Sequence, residues 1–194
     1  MGVEYELKFR ATPAVQEAIR AQIEGPEQEF HMETTYYDAL DGGLSQRFYT
    51  LRRRLENGKS VCTLKTPNDG NGRGEWECPC DHIEAAIEEL CKLGAPENLK
   101  ELTAGGIKEV CDAKFHRIAK TVTLPEGVVE LALDRGVLTG GGKELPLCEV
   151  EVELKEGSID MTRSYALLLA NIYGLIPEKG SKFRRALALT KENG

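Results

Sequence analysis

Several stretches of this chain set charged residues at every second position with apolar residues between them. Glu4, Glu6 and Lys8 alternate with Val3, Tyr5, Leu7 and Phe9, and Glu149, Glu151 and Glu153 alternate with Cys148, Val150, Val152 and Leu154. The same spacing aligns Glu75 with Glu77, Arg52 with Arg54, Glu130 with Asp134, and Lys65 with Thr63, while Arg73, Arg117 and Lys182 stand in further segments of this kind. Carboxylates in such rows are hard oxygen donors suited to divalent cations such as magnesium, with manganese as a substitute. The Lys and Arg side chains suit phosphate oxygens. A ligand that needs both sets is a polyanion bound together with metal.

Period-two alternation is the signature of strands, and it places like charges roughly 6 to 7 Å apart along each one. A row such as Glu149, Glu151 and Glu153 repels itself unless cations neutralise it. One charged face is ordinary on a strand that looks at water; many in one protein imply a shared concavity. The opposite, apolar faces need cover, and helices are available. Thr12 and Pro13 begin one before "AVQEAIRAQIEG", Asp81 with Glu84 another, residues 97–103 a short third, and Ser158 to Gly174 a fourth. Asn57-Gly58 marks a hairpin. "SKFRRALAL" reads as the closing strand, with Lys182 and Arg184 on one face by strict alternation. The fold expected is α+β: an antiparallel β-barrel with a charged interior and helices against its apolar exterior, in one domain spanning residues 1–194.

"EYELK" resembles the ExExK signature of CYTH domains, also called triphosphate tunnel metalloenzymes. The likeness continues in family order through "TTYYD", "LRRR", "CTLK", "RGEWE", "VELALD", "CEVEVEL" and "SKFRRAL". It is greatest to the CYTH domain of bacterial inorganic triphosphatases; many of those carry a C-terminal CHAD domain, and the chain ends about where that would begin, so a stand-alone CYTH protein is expected. The resemblance implies an eight-stranded tunnel and metal-dependent hydrolysis of the terminal phosphoryl group of a triphosphate, foremost inorganic tripolyphosphate. It implies Glu4, Glu6 and Glu153 as ligands of a substrate-binding metal, and Asp134 and Glu151 at a second metal and its water. It also implies Lys8, Arg52, Arg54, Lys65, Arg73, Arg117 and Lys182 along the phosphate path, with Glu151, Asp134 and Lys182 catalytic. The family motif pairs Lys182 with Arg185, whereas alternation pairs it with Arg184. Other activities on the same triphosphate cradle are thiamine triphosphatase and class IV adenylyl cyclase, and a non-catalytic polyphosphate or nucleotide binder is a third class.

With 194 residues the chain is long enough to bury a sizeable core. A net charge of -7 argues against a general nucleic-acid binder or a basic membrane-surface protein. The six cysteines show neither zinc-ligand pairs nor a disulfide scaffold, and Cys78-Pro79-Cys80 is not CxxC. No apolar stretch is long enough to span a membrane. A cytoplasmic enzyme with a small-molecule triphosphate as partner, monomeric or homodimeric, is the expectation.

Overall fold

The alternating segments do form strands. The computed structural model describes residues 5–68 and 73–191, so Glu4 and the side chain of Arg73 lie outside the described residues. In chain order the elements are β1 (Glu6–Arg10), α1 (Pro13–Gln22), β2 (Glu27–Ala39), α2 (Gly43–Gln46), β3 (Thr50–Glu56), β4 (Lys59–Asn68), β5 (Arg73–Pro79), α3 (Ile83–Lys92), α4 (Asn98–Thr103), β6 (Ile107–Leu124), β7 (Gly127–Gly140), β8 (Lys143–Glu156), α5 (Ile159–Tyr173), β9 (Ile176–Pro177) and α6 (Lys182–Leu189). Among the described residues they make one nine-stranded antiparallel sheet in the order β5-β4-β3-β2-β6-β7-β8-β1-β9. The eight strands expected are β1 to β8, and β9 adds two residues on the edge of β1. The ladder does not close, yet the sheet curls until β5 and β1, near opposite ends of that order, line one cavity.

Apolar residues on the convex face are covered as the alternation requires. Ile19 of α1 with Ala166 and Leu169 of α5 pack on Phe9, Leu131, Val150 and Val152. Ile83, Ala86 and Leu90 of α3 with Leu99 of α4 pack on Leu51, Cys62 and Leu64. Thr12 and Ser158 cap α1 and α5 as expected, accepting from the N–H groups of Val15 (3.3 Å) and Met161 (3.1 Å). Asp81 does not cap α3: His82 stands at that position and makes no side-chain capping bond. Asn57 and Gly58 both have positive φ (49° and 80°), as the tight β3–β4 hairpin demands.

"SKFRRALAL" is not a strand. It is helix α6, with the Ser181 hydroxyl accepting from the Arg184 N–H at 3.2 Å. Phe183, Ala186 and Leu187 follow the i, i+3, i+4 spacing of a helical face, which outweighs the alternation because Arg185 would break an apolar strand face. The helix lies inside the curl. Phe183 and Ala186 are buried against Met32, Tyr36, Ala113, Phe115, Leu138 and Leu147, all on the concave face. Gly140 makes this close seating feasible, since a Cβ there would stand 2.4 Å from the Ala186 carbonyl oxygen. Replacing Phe183 by Ala is expected to cost about 3 to 5 kcal/mol in chemical denaturation. A loss under about 1 kcal/mol would show that α6 is not anchored by this side chain.

Candidate functional site

Three adjacent strands place their inward residues on one patch. Cross-strand register sets Arg117 opposite Asp134 and Asp134 opposite Glu149, with Glu151 one inward position along β8. Asp134 and Glu149 have no solvent exposure and Glu151 is nearly as buried. Oxygens of the three carboxylates lie within 4.8 Å of one another. Such a group demands compensation, and the chain supplies it. Lys182, on the first turn of α6, sends its ammonium to Asp134 (2.8 Å), Glu149 (2.8 Å) and Glu151 (2.7 Å). Arg117 grips both oxygens of Asp134 (2.7 and 2.8 Å) and one of Glu151 (2.6 Å), and Arg185 pairs with Glu149. Three carboxylates therefore meet three side-chain cations. The row at Glu149 and Glu151 obtains its cations from the protein itself.

The helical form of "SKFRR" settles the choice between the two arginines. Residues three apart share a helix face, so Arg185 follows Lys182 into the cluster and Arg184 lies outside over the ring of Phe48 at 5.1 Å. Burial alone would raise the carboxyl pKa values of Asp134 and Glu151; the charges of Arg117 and Lys182 outweigh it and hold both below the ordinary range. Burial alone would lower that of Lys182, and the three carboxylates instead raise it.

Around this patch opens a cavity of about 680 Å³. Glu6, Lys8, Arg52, Arg54, Lys65 and Glu153 line it, joined by Arg117, Glu151 and Lys182 from the cluster and by Glu75 and Glu77 from β5. Glu6 and Glu153 are direct cross-strand partners, and Glu153 also faces Glu130 on its other side. Lys8 bonds Glu6 (2.8 Å), and Lys155 bonds Glu153 (2.8 Å) and approaches Glu130 (3.7 Å). Across the cavity Glu75 meets Lys65 at 3.2 Å and Arg52 at 3.9 Å. Arg54 is buried, donates to the Thr34 hydroxyl at 3.0 Å and has Glu56 no nearer than 3.7 Å. Burial, then the neighbouring Arg52, lowers its pKa to about 10. On this side Arg52 and Arg54 meet carboxylates at 3.9 and 3.7 Å, longer than the pairs of the buried cluster.

Two contributors were not evident from spacing. Phe115, on the inward face of β6, has the cationic heads of Arg54, Arg117 and Lys182 at 5.8, 5.8 and 5.2 Å from its ring centre. Buried Gln16 of α1 donates to the main-chain oxygens of Asp134 (2.9 Å) and Glu149 (2.7 Å), fixing from behind the strands that carry the cluster. A glutamine on an apolar helix face was the available signal. Arg53, out of pattern in "LRRR", points outward and donates to the Asp81 carbonyl at 3.1 Å. His116 also points outward, beside His31.

This arrangement is a curled antiparallel sheet enclosing a tunnel lined by acidic and basic side chains. The chain belongs to the CYTH domain family, whose model matches residues 2–187. An inorganic triphosphatase of Haemophilus influenzae is 28% identical over 136 residues, which cover 68% of this chain and 38% of that protein; the match thus spans well under half the length of that relative. Among solved structures, a protein of Pyrococcus horikoshii has a TM-score of 0.63 at 22% identity, covering 95% of this chain and 98% of its own. A Hippeastrum protein described as an adenylyl cyclase with dominant triphosphatase activity has a TM-score of 0.65 at 17% identity, covering 99% and 97%. At these identities the two structures establish the shared fold.

The ionic cluster makes a pH-dependent prediction. Lys182→Met leaves buried carboxylates short of one cation, which is expected to cost about 3 to 5 kcal/mol near neutral pH. In the parent, the lowered pKa values of Asp134 and Glu151 contribute stability that is present above the unfolded carboxylate range and lost as pH falls through the folded values. In the variant, protonation instead relieves unpaired charge, so the difference between the two proteins should shrink at acid pH. Denaturant midpoints measured at neutral pH and just below the carboxylate range test this; an equal penalty at both would contradict it.

Proposed function

We propose that this protein hydrolyses the terminal phosphoryl group of a triphosphate, with inorganic tripolyphosphate as its simplest substrate. The observation that carries the reading is Arg54, a buried cation beside Arg52 and Arg117 whose ion pair among the described residues, with Glu56, is as long as 3.7 Å, in a cavity large enough for such a ligand. A polyphosphate chain would accept charge-assisted hydrogen bonds from Arg52, Arg54, Lys65 and Arg117. Arg117 is suited to the reacting end: its Nη1 makes no hydrogen bond among the described residues, while Nε and Nη2 are fixed by Asp134 and Glu151. The family relationship and the named activity of the Haemophilus relative support the same reaction class.

The donor set also fits a hard divalent cation, magnesium or manganese. Glu6, Glu153 and Glu130 stand side by side across β1, β8 and β7, an arrangement of like charge beside Lys8 and Lys155. Glu6 and Glu153 would hold the ion, with Glu4 joining them by the family motif; when bound, it would neutralise phosphate charge and orient the chain. The deeper set, Asp134 with Glu151, already has its charge met by Lys182 and Arg117, so a second ion there requires Lys182 to move. The Lys182 ammonium hydrogen-bonds Glu151 at 2.7 Å and lies within 2.8 Å of an oxygen of Asp134 and of Glu149. In this state it positions Glu151 and Asp134. Glu151, held strongly acidic, accepts a hydrogen bond from the attacking water and orients it for in-line displacement; it is too weak a base to keep the proton.

The expected outcome is phosphate release from tripolyphosphate that needs magnesium or manganese and stops in excess chelator. Glu6→Gln and Glu153→Gln should each abolish most of it with the fold intact by circular dichroism. Full turnover in chelator would refute the metal requirement.

Substrate length provides a second test. Tripolyphosphate should be cleaved much faster than pyrophosphate, because only the longer chain can engage Arg52 and Arg54 while its end lies at Arg117. Arg54→Ala should narrow that preference by roughly tenfold to hundredfold in kcat/KM, the worth of one charge-assisted contact of about 1.5 to 3 kcal/mol. Equal rates on the two substrates, or a preference untouched by Arg54→Ala, would show that the basic wall does not read the chain.

A further inference from the structure

On the convex face, between the parts covered by helices, β2 and β6 present a polar strip to solvent: Glu29, His31, Glu33 and Lys114 are exposed there and His116 is half-buried. His31 and His116, two of the three histidines of the chain, stand directly opposite each other in the ladder. The main chain of His31 is bonded on its other side. Its N–H donates to the Asn57 side-chain oxygen at 2.8 Å, and its carbonyl accepts from the Asn57 N–H at 3.0 Å. A strand residue turns both groups to one neighbour, so His31 and His116 form the non-hydrogen-bonded kind of antiparallel pair, in which opposed side chains approach most closely.

Two imidazoles that bind one ion at about 2.1 Å in tetrahedral geometry have ring centres about 5 Å apart. Here the separation is 5.1 Å, with the rings tilted by 39°. Glu29, two residues before His31 on the same face of β2, places one carboxylate oxygen 3.2 Å from Nε2 of His116. A carboxylate in that position favours the proton on Nε2 and leaves the lone pair on Nδ1, as carboxylates beside metal-binding histidines do. The other oxygen of Glu29 accepts from Arg20 of α1 at 2.7 Å, which fixes the carboxylate in turn. The cations around the pair are themselves matched, Arg20 by Glu27 and Glu29, and Lys114 by Glu33 at 3.3 Å.

We propose that His31 and His116 form a site for a late first-row divalent ion, foremost zinc, with Glu29 as the carboxylate that orients His116. Imidazole nitrogen suits zinc, nickel and copper, whereas magnesium takes oxygen donors, so this site selects a different class of ion from the carboxylates of the cavity. Water would complete the coordination. The bound ion would cross-link β2 to β6 beside Arg117, on the face of β6 opposite to the cavity. The site is independent of the triphosphatase reading.

Zinc titrated calorimetrically into the full chain, with excess magnesium present for the cavity carboxylates, should reveal an equivalent that is abolished in both His31→Ala and His116→Ala. His82→Ala removes the third histidine and should leave that equivalent unchanged. Glu29→Gln should weaken it roughly tenfold to hundredfold, the usual effect of losing a carboxylate behind a histidine ligand. Both paired histidines reach solvent, so their variants should keep the parent's circular dichroism. Cobalt in place of zinc should shift and broaden the ring-proton resonances of His31 and His116 while sparing those of His82. Zinc binding equal to the parent's in either His31→Ala or His116→Ala, equal loss in His82→Ala, or no zinc bound by the parent would each overturn the site.

Discussion

The ammonium of Lys182 among Asp134, Glu149 and Glu151 is the interaction on which the rest of this structure depends. Bringing three carboxylates into a place without solvent is strongly unfavourable, and only matching cations with good geometry offset it. Lys182, Arg117 and Arg185 provide that match from two separate elements: Lys182 and Arg185 from α6, and Arg117 from β6. The ion network thereby ties the last helix to strands β6, β7 and β8. Gln16 ties the same strands to α1 from the other side.

That connection divides the concave face in two. At one end Phe183 and Ala186 fill the curl with apolar side chains, and the sheet there is an ordinary core. At the other end the charged rows of β1, β3, β4, β5 and β8 surround a cavity, with Trp76, Leu93 and Leu154 also in its lining. The boundary between them is Phe115, whose ring has aliphatic neighbours on one side and three cationic heads on the other.

Charge is unevenly distributed around the cavity. The β7–β8 side is internally balanced and rigid, whereas the β3 side carries Arg54, whose ordinary basicity is reduced by burial and by Arg52. The outer carboxylates Glu6 on β1 and Glu153 on β8 meet the partly exposed Lys8 and Lys155. The proposed triphosphate with its divalent cation would place the anion along the basic side and the cation at the outer carboxylates. Membership of the CYTH family accords with this complementarity.

Much of this was legible in the residues themselves. A strand turns each side chain by half a revolution, so alternation in the sequence is alternation between two faces, and β1 to β8 with their charged inward rows follow from local pattern alone. The last segment was misread because "SKFRRALAL" satisfies part of both periods; the Ser181 cap and the Phe183, Ala186, Leu187 spacing were the helical signals. Which charges would meet was not legible. Pairing depends on register across strands and on how far the sheet curls, and these bring Lys182 to carboxylates 31 to 48 residues earlier in the chain. Nor could spacing show that the carboxylate row is neutralised by side chains, or that Trp76 borders the cavity, since its strand position points it away from the inward row and only the edge location of β5 returns it to the rim. Local periodicity determined the strands and the chemistry each could present; tertiary structure alone decided which charges are spent on one another and which are left for a ligand, because electrostatic pairing depends on distance in space and burial, neither of which is a property of sequence spacing.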